Sequence, residues 1–512
     1  MNATSAALTR KEIDLLIVGG GTAGAALAGI VARDTDLNVT LLEAGPDYGP
    51  FTGGLWPREI LDARRFGLTH DWGYTGLLQP EHTTPRPFER GRILGGSSSH
   101  NGCIARLGHR RDYDRWAELG NDGWGWEAVK PAFERAMHAM RVRQPEDAEA
   151  TPFQAAFIHS AFDFGIPRVD DLNDPDDVAG VSLSPVNIDH GVRWNAAFAY
   201  LDPVRDRPNL QIIGNALVDR VELQAGRAVA VQAIVDGLRL RIPAQRIVIA
   251  GGAYGSPAVL LRSGIGPVDD LQALGIEPLH PLPGVGQRLT DHVTAPLLYW
   301  GREALDREMD AFEATGWLPD EQALGKTRSS RCTEAFDLHL YTLSRRDAAS
   351  GRWFYHLAAA NMIPRSHGSV KLTARDPHAP LAIDHGYLTD PDGEDLAVLV
   401  DGLEIAQQIV ATAPLAKLLD VERRSGTARI SRADAPDFIR RYQGIDYHPA
   451  CTCRMGPASD PTAVVDATGK VHGLDNLYVC DASIFPTLMR ANTNLPAAMV
   501  AEMLAGVVGG RE

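Results

Sequence analysis

Asp14-Leu-Leu-Ile-Val18-Gly19-Gly20-Gly21-Thr22-Ala23-Gly24 starts as an unbroken apolar run and breaks into glycines. The run reads as a parallel strand buried on both faces. Thr22 to Arg33 are small residues, compatible with a helix that lies close against a sheet. Val39-Thr-Leu-Leu-Glu43 reads as a second buried strand, and Glu43 falls 22 residues beyond Gly21. Glycines at 19, 21 and 24 suit a tight turn, the approach of a pyrophosphate to a helix N-terminus, and close helix–strand packing. A carboxylate ending the second strand is placed to accept ribose hydroxyls. Each piece alone is weak; strand, glycine turn, helix, strand and acid in that order identify a dinucleotide-binding unit.

The next informative stretch is Gly91-Arg92-Ile-Leu-Gly95-Gly96-Ser97-Ser-Ser-His100-Asn101-Gly102-Cys-Ile-Ala105. Two glycines followed by three serines make a loop of little bulk, able to lie flat against a planar ring and donate backbone N–H groups to it. With the fingerprint upstream, this points to flavin rather than nicotinamide. His100 falls where it meets the ring edge.

The same grammar returns later. Arg246-Ile-Val-Ile-Ala250 runs into Gly251-Gly-Ala-Tyr-Gly-Ser-Pro257, with Pro257 expected to open a helix over 258–262. Asn476-Leu-Tyr-Val-Cys480 ends at Asp481-Ala482-Ser483, where the acid is placed to meet the cofactor. The expected architecture is an α/β FAD-binding Rossmann-like domain, discontinuous over 10–149, 201–295 and 441–512. An α+β substrate domain with a mostly antiparallel sheet takes 150–200 and 296–440. Its strands include Phe336 to Leu343 and Gly368 to Thr373. Its helix is capped by Asp390, starts with Pro391, and turns Leu396, Leu399, Val400, Leu403 and Ile409 to one face.

Composition excludes several classes. Fifty Lys and Arg against 65 Asp and Glu give a net charge of -15, against nucleic-acid binding. The basic stretch Arg106 to Arg115 reads as a solvated face. Five cysteines make no disulfide framework or zinc spacing, so no metal site is expected, and Cys451 and Cys453 read as buried small side chains. No apolar run is long enough for a membrane span. Met1 to Arg10 lacks the cationic and apolar regions of a signal peptide, so the expected compartment is the cytoplasm. A homodimer is allowed.

The chain resembles the glucose–methanol–choline (GMC) family of FAD-dependent oxidoreductases over almost its whole length. The resemblance rests on Gly19 to Glu43, Gly91 to Asp114, Gly252 to Gly266, Gly284-Val-Gly-Gln-Arg-Leu-Thr-Asp-His292, Tyr447-His448-Pro-Ala-Cys-Thr-Cys-Arg-Met-Gly456 and Asn492-Thr-Asn494-Leu-Pro. It implies the fold above and oxidation of an alcohol to a carbonyl compound by hydride transfer to flavin, with oxygen, a quinone or a redox carrier taking the electrons. The cofactor contacts it implies are Gly19, Gly21, Thr22, Ala23, Gly24, Glu43, Ala44, Arg92, Gly95, Gly96, Ser97, His100, Asn101, Gly102, Val218, Asp481, Ala482 and Asn492. The stretch around His100 is most similar to choline oxidases, where this histidine is bonded to the flavin; a histidine that only lines the flavin edge is the alternative. Gly102 and Ile363 depart from the choline-oxidase pattern, so the substrate is not carried over.

Removing the hydroxyl proton of an alcohol needs a positioned base, and neutral imidazole suits neutral pH. The resemblance assigns that role to His448 and makes Asn494 its partner, an amide that orients the substrate oxygen. His292 is the alternative base, although its motif reads as cofactor-domain packing. Asp446 either attracts a cationic substrate or reaches solvent, and solvent is the expectation. Trp56, Phe66, Trp72, Trp353 and Phe354 line a pocket or fill the core. A GMC-fold lyase with flavin as scaffold, or a flavoprotein without dark turnover, are the competing functions.

Overall fold

The computed structural model describes residues 12–79, 82–315, 321–427 and 429–510. Met1 to Arg10, on which the expectation about targeting rests, lies outside the described residues. A five-stranded parallel sheet runs in the order Leu477–Val479, Arg246–Ile249, Leu15–Val18, Val39–Leu42, Leu210–Ile213. Leu15–Val18 is central and fully buried, which explains its lack of polar alternation.

Thr22–Asp34 covers one face of this sheet through Leu27, Ile30 and Val31. Burying such side chains contributes about 1.5–3 kcal/mol each. The small residues around them allow close approach: a Cβ on Gly29 would stand 2.2 Å from the Tyr200 carbonyl oxygen. The helix Asn494–Val508 packs beside Thr22–Asp34.

A second, antiparallel sheet has the order Leu419–Glu422, Val293–Gly301, Trp353–Asn361, Leu338–Arg346, Ala323–Thr327, Gly180–Leu183, with Gly444–Ile445 also on Val293–Gly301. Glu394–Val410 packs on it with Leu399, Leu403 and Ile409 buried. Gly368–Leu372 is not part of this sheet. It pairs with Gln287–Leu289 and Leu381–Asp384, bridging the two halves of the molecule. The strand from Val293 also starts on the cofactor side of a boundary placed at 295/296.

Two helix starts differ from expectation. Gly252–Arg262 begins five residues before Pro257. A proline there frees the carbonyl of Ala253, and the Thr452 hydroxyl donates to it at 2.7 Å, so the interruption is satisfied from outside the helix. Glu394–Val410 begins after Pro391, yet Asp390 still accepts from the Glu394 N–H at 2.6 Å. Arg106 is also not on a solvated face: it is buried and donates to the Leu172 carbonyl. Cys451 and Cys453 are buried free thiols. Among the described residues no helix is long and apolar enough to cross a membrane.

Candidate active site

A cavity of about 1480 Å³ lies at the carboxyl ends of the parallel strands and runs beneath the antiparallel sheet. Gly19, Gly21, Thr22, Ala23, Glu43, Ala44, Arg92, Gly96, Ser97, His100, Asn101, Gly102, Val218, Asp481, Ala482, His448, Asn492 and Asn494 all line it. Gly24 and Gly95 do not. A Cβ on Gly24 would stand 1.9 Å from the Gly19 carbonyl oxygen, and Gly95 has φ 90°, so both shape the cradle from behind.

The cradle fits a dinucleotide. Thr22–Asp34 has no side-chain cap and no acid in its first turn, leaving its positive end open toward the cavity. Asn494–Val508 starts at the same wall, and Asn494 Oδ1 accepts from the Thr22 hydroxyl at 2.7 Å, joining the two helix starts. The Glu43 oxygens each accept one backbone N–H, from Gly20 and Gly45, both at 2.8 Å. Burial pushes the Glu43 carboxyl up to about 7 despite these bonds. Ribose hydroxyls donating to the remaining lone pairs would favour its ionised form.

In the loop at 91–105, Ser98 Oγ donates to the Gly95 carbonyl and Ser99 Oγ to the Leu94 carbonyl. Ser97 Oγ accepts from Gly91 N–H. The hydroxyls therefore hold the loop's own turn, leaving Gly96 and Gly102 as its bare surface. A Cβ on Gly96 would lie 2.7 Å from Gly21 Cα, so the loop presses on the fingerprint. His100 is buried, neither ring nitrogen makes a protein hydrogen bond of good geometry, and burial lowers its tendency to protonate. Asp481, expected to meet the cofactor, lines the cavity and accepts from Gly252 N–H, the Ser256 hydroxyl and Ser483 N–H.

The opposite wall carries the candidate base. Residues 444–450 run antiparallel to 290–294, with Asp446 N–H donating to the His292 carbonyl and Ala450 exchanging bonds with Thr290. Four steps on one strand match two on the other, so the segment bulges, and Tyr447 adopts φ 60°. His448 N–H donates to Asp291 Oδ1 at 2.8 Å, while the Tyr387 hydroxyl holds Oδ2 at 2.9 Å. Burial pushes the Asp291 carboxyl up to about 6.

Around the ring, His448 Nε2 lies 3.1 Å from Asn492 Nδ2, Nδ1 lies 2.9 Å from His292 Nδ1, and Asp446 Oδ2 lies 3.3 Å from the same Nδ1. Three expectations change here. Asn492, not Asn494, meets the base, because Asn494 is turned to Thr22 at the start of its helix. His292 is a neighbour of the base rather than remote packing, and burial pushes it down to about 3. Asp446 faces His448 instead of solvent. Burial alone would raise its carboxyl; the neighbouring His448 ring outweighs that and holds it below its ordinary value.

The ligand atoms of His292, Asp446 and His448 all lie within 4.8 Å of one another. The two imidazole nitrogens are nonetheless closer than two ligands of one tetrahedral zinc, which sit roughly 3.3 Å apart with bonds of about 2.0–2.1 Å. The trio is a hydrogen-bonded cluster. Of the aromatic candidates, Phe66, Trp72, Trp353 and Phe354 line the cavity, whereas Trp56 packs on Phe198 in the core. Tyr341 and His356 also line it, unsignalled by any local motif, because only the pleat of their strands turns them inward.

Two profiles of the GMC oxidoreductase family match residues 13–294 and 364–501. The mitochondrial choline dehydrogenase of Mus musculus is 33% identical over 99% of this chain and 91% of its own length. An oxygen-dependent choline dehydrogenase of Stenotrophomonas maltophilia is 33% identical over 98% of this chain and 96% of its own. Among solved structures, pyridoxine 4-oxidase from Mesorbium loti superposes with a TM-score of 0.86 at 30% identity, covering 98% of this chain and all of that one. These likenesses support FAD-dependent alcohol oxidation and not the lyase alternative. FAD is the cofactor, the chain is an oxidoreductase acting on CH–OH groups, and it belongs to the GMC oxidoreductase family.

Proposed function

We propose that His448 is the general base of this oxidation and Asn492 the residue that holds the substrate oxygen. The observation that carries the reading is the 3.1 Å pairing of His448 Nε2 with Asn492 Nδ2 in the cavity wall, where both can reach one oxygen. The hydroxyl proton passes to His448 Nε2 as the O–H bond breaks, and the carbon gives up its hydrogen with the electron pair. A bound FAD, held by the turn at Gly19 to Gly24, Glu43 and the loop at 91–105, would supply the hydride acceptor. Asn492 donates to the substrate oxygen, and Asn494 belongs to the cofactor end of the wall. Tyr341, Phe354 and the neutral ring of His356, which burial pushes down to about 3, line this end of the cavity together with Arg345, and the Arg423 guanidinium lies 5.1 Å over the Phe354 ring. A primary alcohol with an aromatic body suits this lining.

A panel of choline, pyridoxine, aromatic alcohols and sugars, mixed anaerobically with the holoenzyme, tests the reading. Bleaching of the flavin by at least one primary alcohol is expected. An oxidised flavin throughout, alongside cleavage of a cyanohydrin, would refute it. Admission of air then separates oxygen from a quinone or carrier as acceptor.

The same reading makes His100 a covalent tether. What supports it is a buried, neutral imidazole with unengaged nitrogens on the cavity wall. Acid-precipitated protein is expected to remain yellow, and His100→Ala to release its flavin into the supernatant. Complete release from the wild-type protein would leave His100 as a neighbour of the ring only.

A further inference from the structure

His448 and His292 meet through like nitrogens, Nδ1 to Nδ1 at 2.9 Å, and both rings are buried. A single proton serves that contact, so two arrangements compete. In one, His448 carries it and Nε2 keeps a lone pair beside Asn492. In the other, His292 carries it and His448 holds its own proton on Nε2, where it cannot accept another. The contact between the rings does not choose between them. A third group does: Asp446 Oδ2 lies 3.3 Å from His448 Nδ1. A proton on Nδ1 faces that negative charge favourably, whereas a lone pair there is repelled by it.

We propose that Asp446 is the positioning residue that breaks this tie, holding the shared proton on His448 Nδ1 and so presenting Nε2 as the base. The inference rests on the reading of His448 as the base. Asp446 sits two residues before His448, and the bulge with Tyr447 at φ 60° brings both side chains to the same ring contact. Once the alcohol proton reaches Nε2, both nitrogens carry hydrogen, and the same carboxylate faces the resulting cation. His292 remains a neutral acceptor throughout.

Asn492 Nδ2, 3.1 Å from Nε2, favours the same arrangement but carries no charge, and the other titratable groups around the pair do not compete for this role. Tyr341, on the strand Leu338–Arg346, bonds Asp446 as a neutral phenol, burial holding it well above the ordinary tyrosine range. Asp291 accepts the backbone N–H of His448 and not its ring. Burial keeps His339 and His356 neutral. Arg90 donates through Nη1 to the Tyr447 carbonyl at 3.0 Å, and its charge acts on Asp291.

Asp446→Asn tests this, because it keeps the shape, removes the charge and sets an amide against Nδ1. Anaerobic flavin reduction at saturating alcohol is expected to fall by about 10²–10⁴-fold, with FAD content and visible spectrum unchanged. The rising limb of its pH profile is expected to move to lower pH, since the imidazolium loses the anion that stabilises it. Asp446→Glu should recover part of the rate, and His292→Gln should retain more of it than Asp446→Asn. Near-normal reduction and an unmoved profile in Asp446→Asn, with His448→Ala slow, overturn the proposal and leave His448 as base. A raised half-saturation for cationic alcohols with an unchanged rate at saturation also overturns it, making Asp446 a substrate contact. Near-normal reduction by His448→Ala removes the base reading itself.

Discussion

His448→Ala is expected to slow anaerobic flavin reduction at saturating alcohol by about 10²–10⁴-fold, the usual worth of a positioned base. The substitution removes the ring that meets Asn492, His292 and Asp446 but keeps the backbone N–H bonded to Asp291, so the bulge and the cradle survive. FAD content and melting behaviour should therefore stay close to those of the wild type. The wild-type rate should fall as the solution is made acidic, because a protonated ring has no lone pair to offer. Stopped-flow absorbance of the flavin band checks both statements. A variant that reduces at near-normal speed would shift the base to another group, with His292 next in line.

Gly24→Ala is the second large effect. Its Cβ would stand 1.9 Å from the Gly19 carbonyl oxygen and 3.1 Å from Ala250 Cβ. The nearer obstacle is backbone, so it cannot rotate away; the start of the helix must lift off the turn. Overpacking of this kind typically costs about 1–3 kcal/mol, and here it also displaces the helix N-terminus that faces the pyrophosphate. Loss of bound FAD and a lowered melting temperature are expected. Gly53→Ala is the control, since it lies outside the cavity lining and its added Cβ would meet nothing nearer than Pro50 Cγ at 3.8 Å. Equal FAD content in the two variants would show that the cradle tolerates the shift.

How much was legible follows from how local each signal is. The fingerprint, its helix and Glu43 are set by neighbours in sequence, and they lie as the spacing implies. Pro257 misleads because its helix is rescued by Thr452, 199 residues away from Ala253. Gly368–Leu372 alternates like any strand, but alternation says nothing of which sheet will receive it. Asn492 and Asn494 are two residues apart at a helix start, where a small change of direction sends one amide to the base and the other to the fingerprint helix. Asp446 looked like a surface acid because nothing in its own segment announces the bulge that turns it inward.

The order of strands in the parallel sheet has a consequence for synthesis on the ribosome. Leu15–Val18 acquires its inner neighbour only when Arg246–Ile249 emerges, and that strand in turn waits for Leu477–Val479. At about 5–20 residues per second, the fingerprint spends roughly 20 to 95 seconds outside the ribosome before the wall bearing His448, Asp481 and Asn494 exists. During that interval its most apolar strand has an open hydrogen-bonding edge. The nascent chain is therefore most prone to aggregate, and most dependent on chaperones, well before it can gain any stability from FAD.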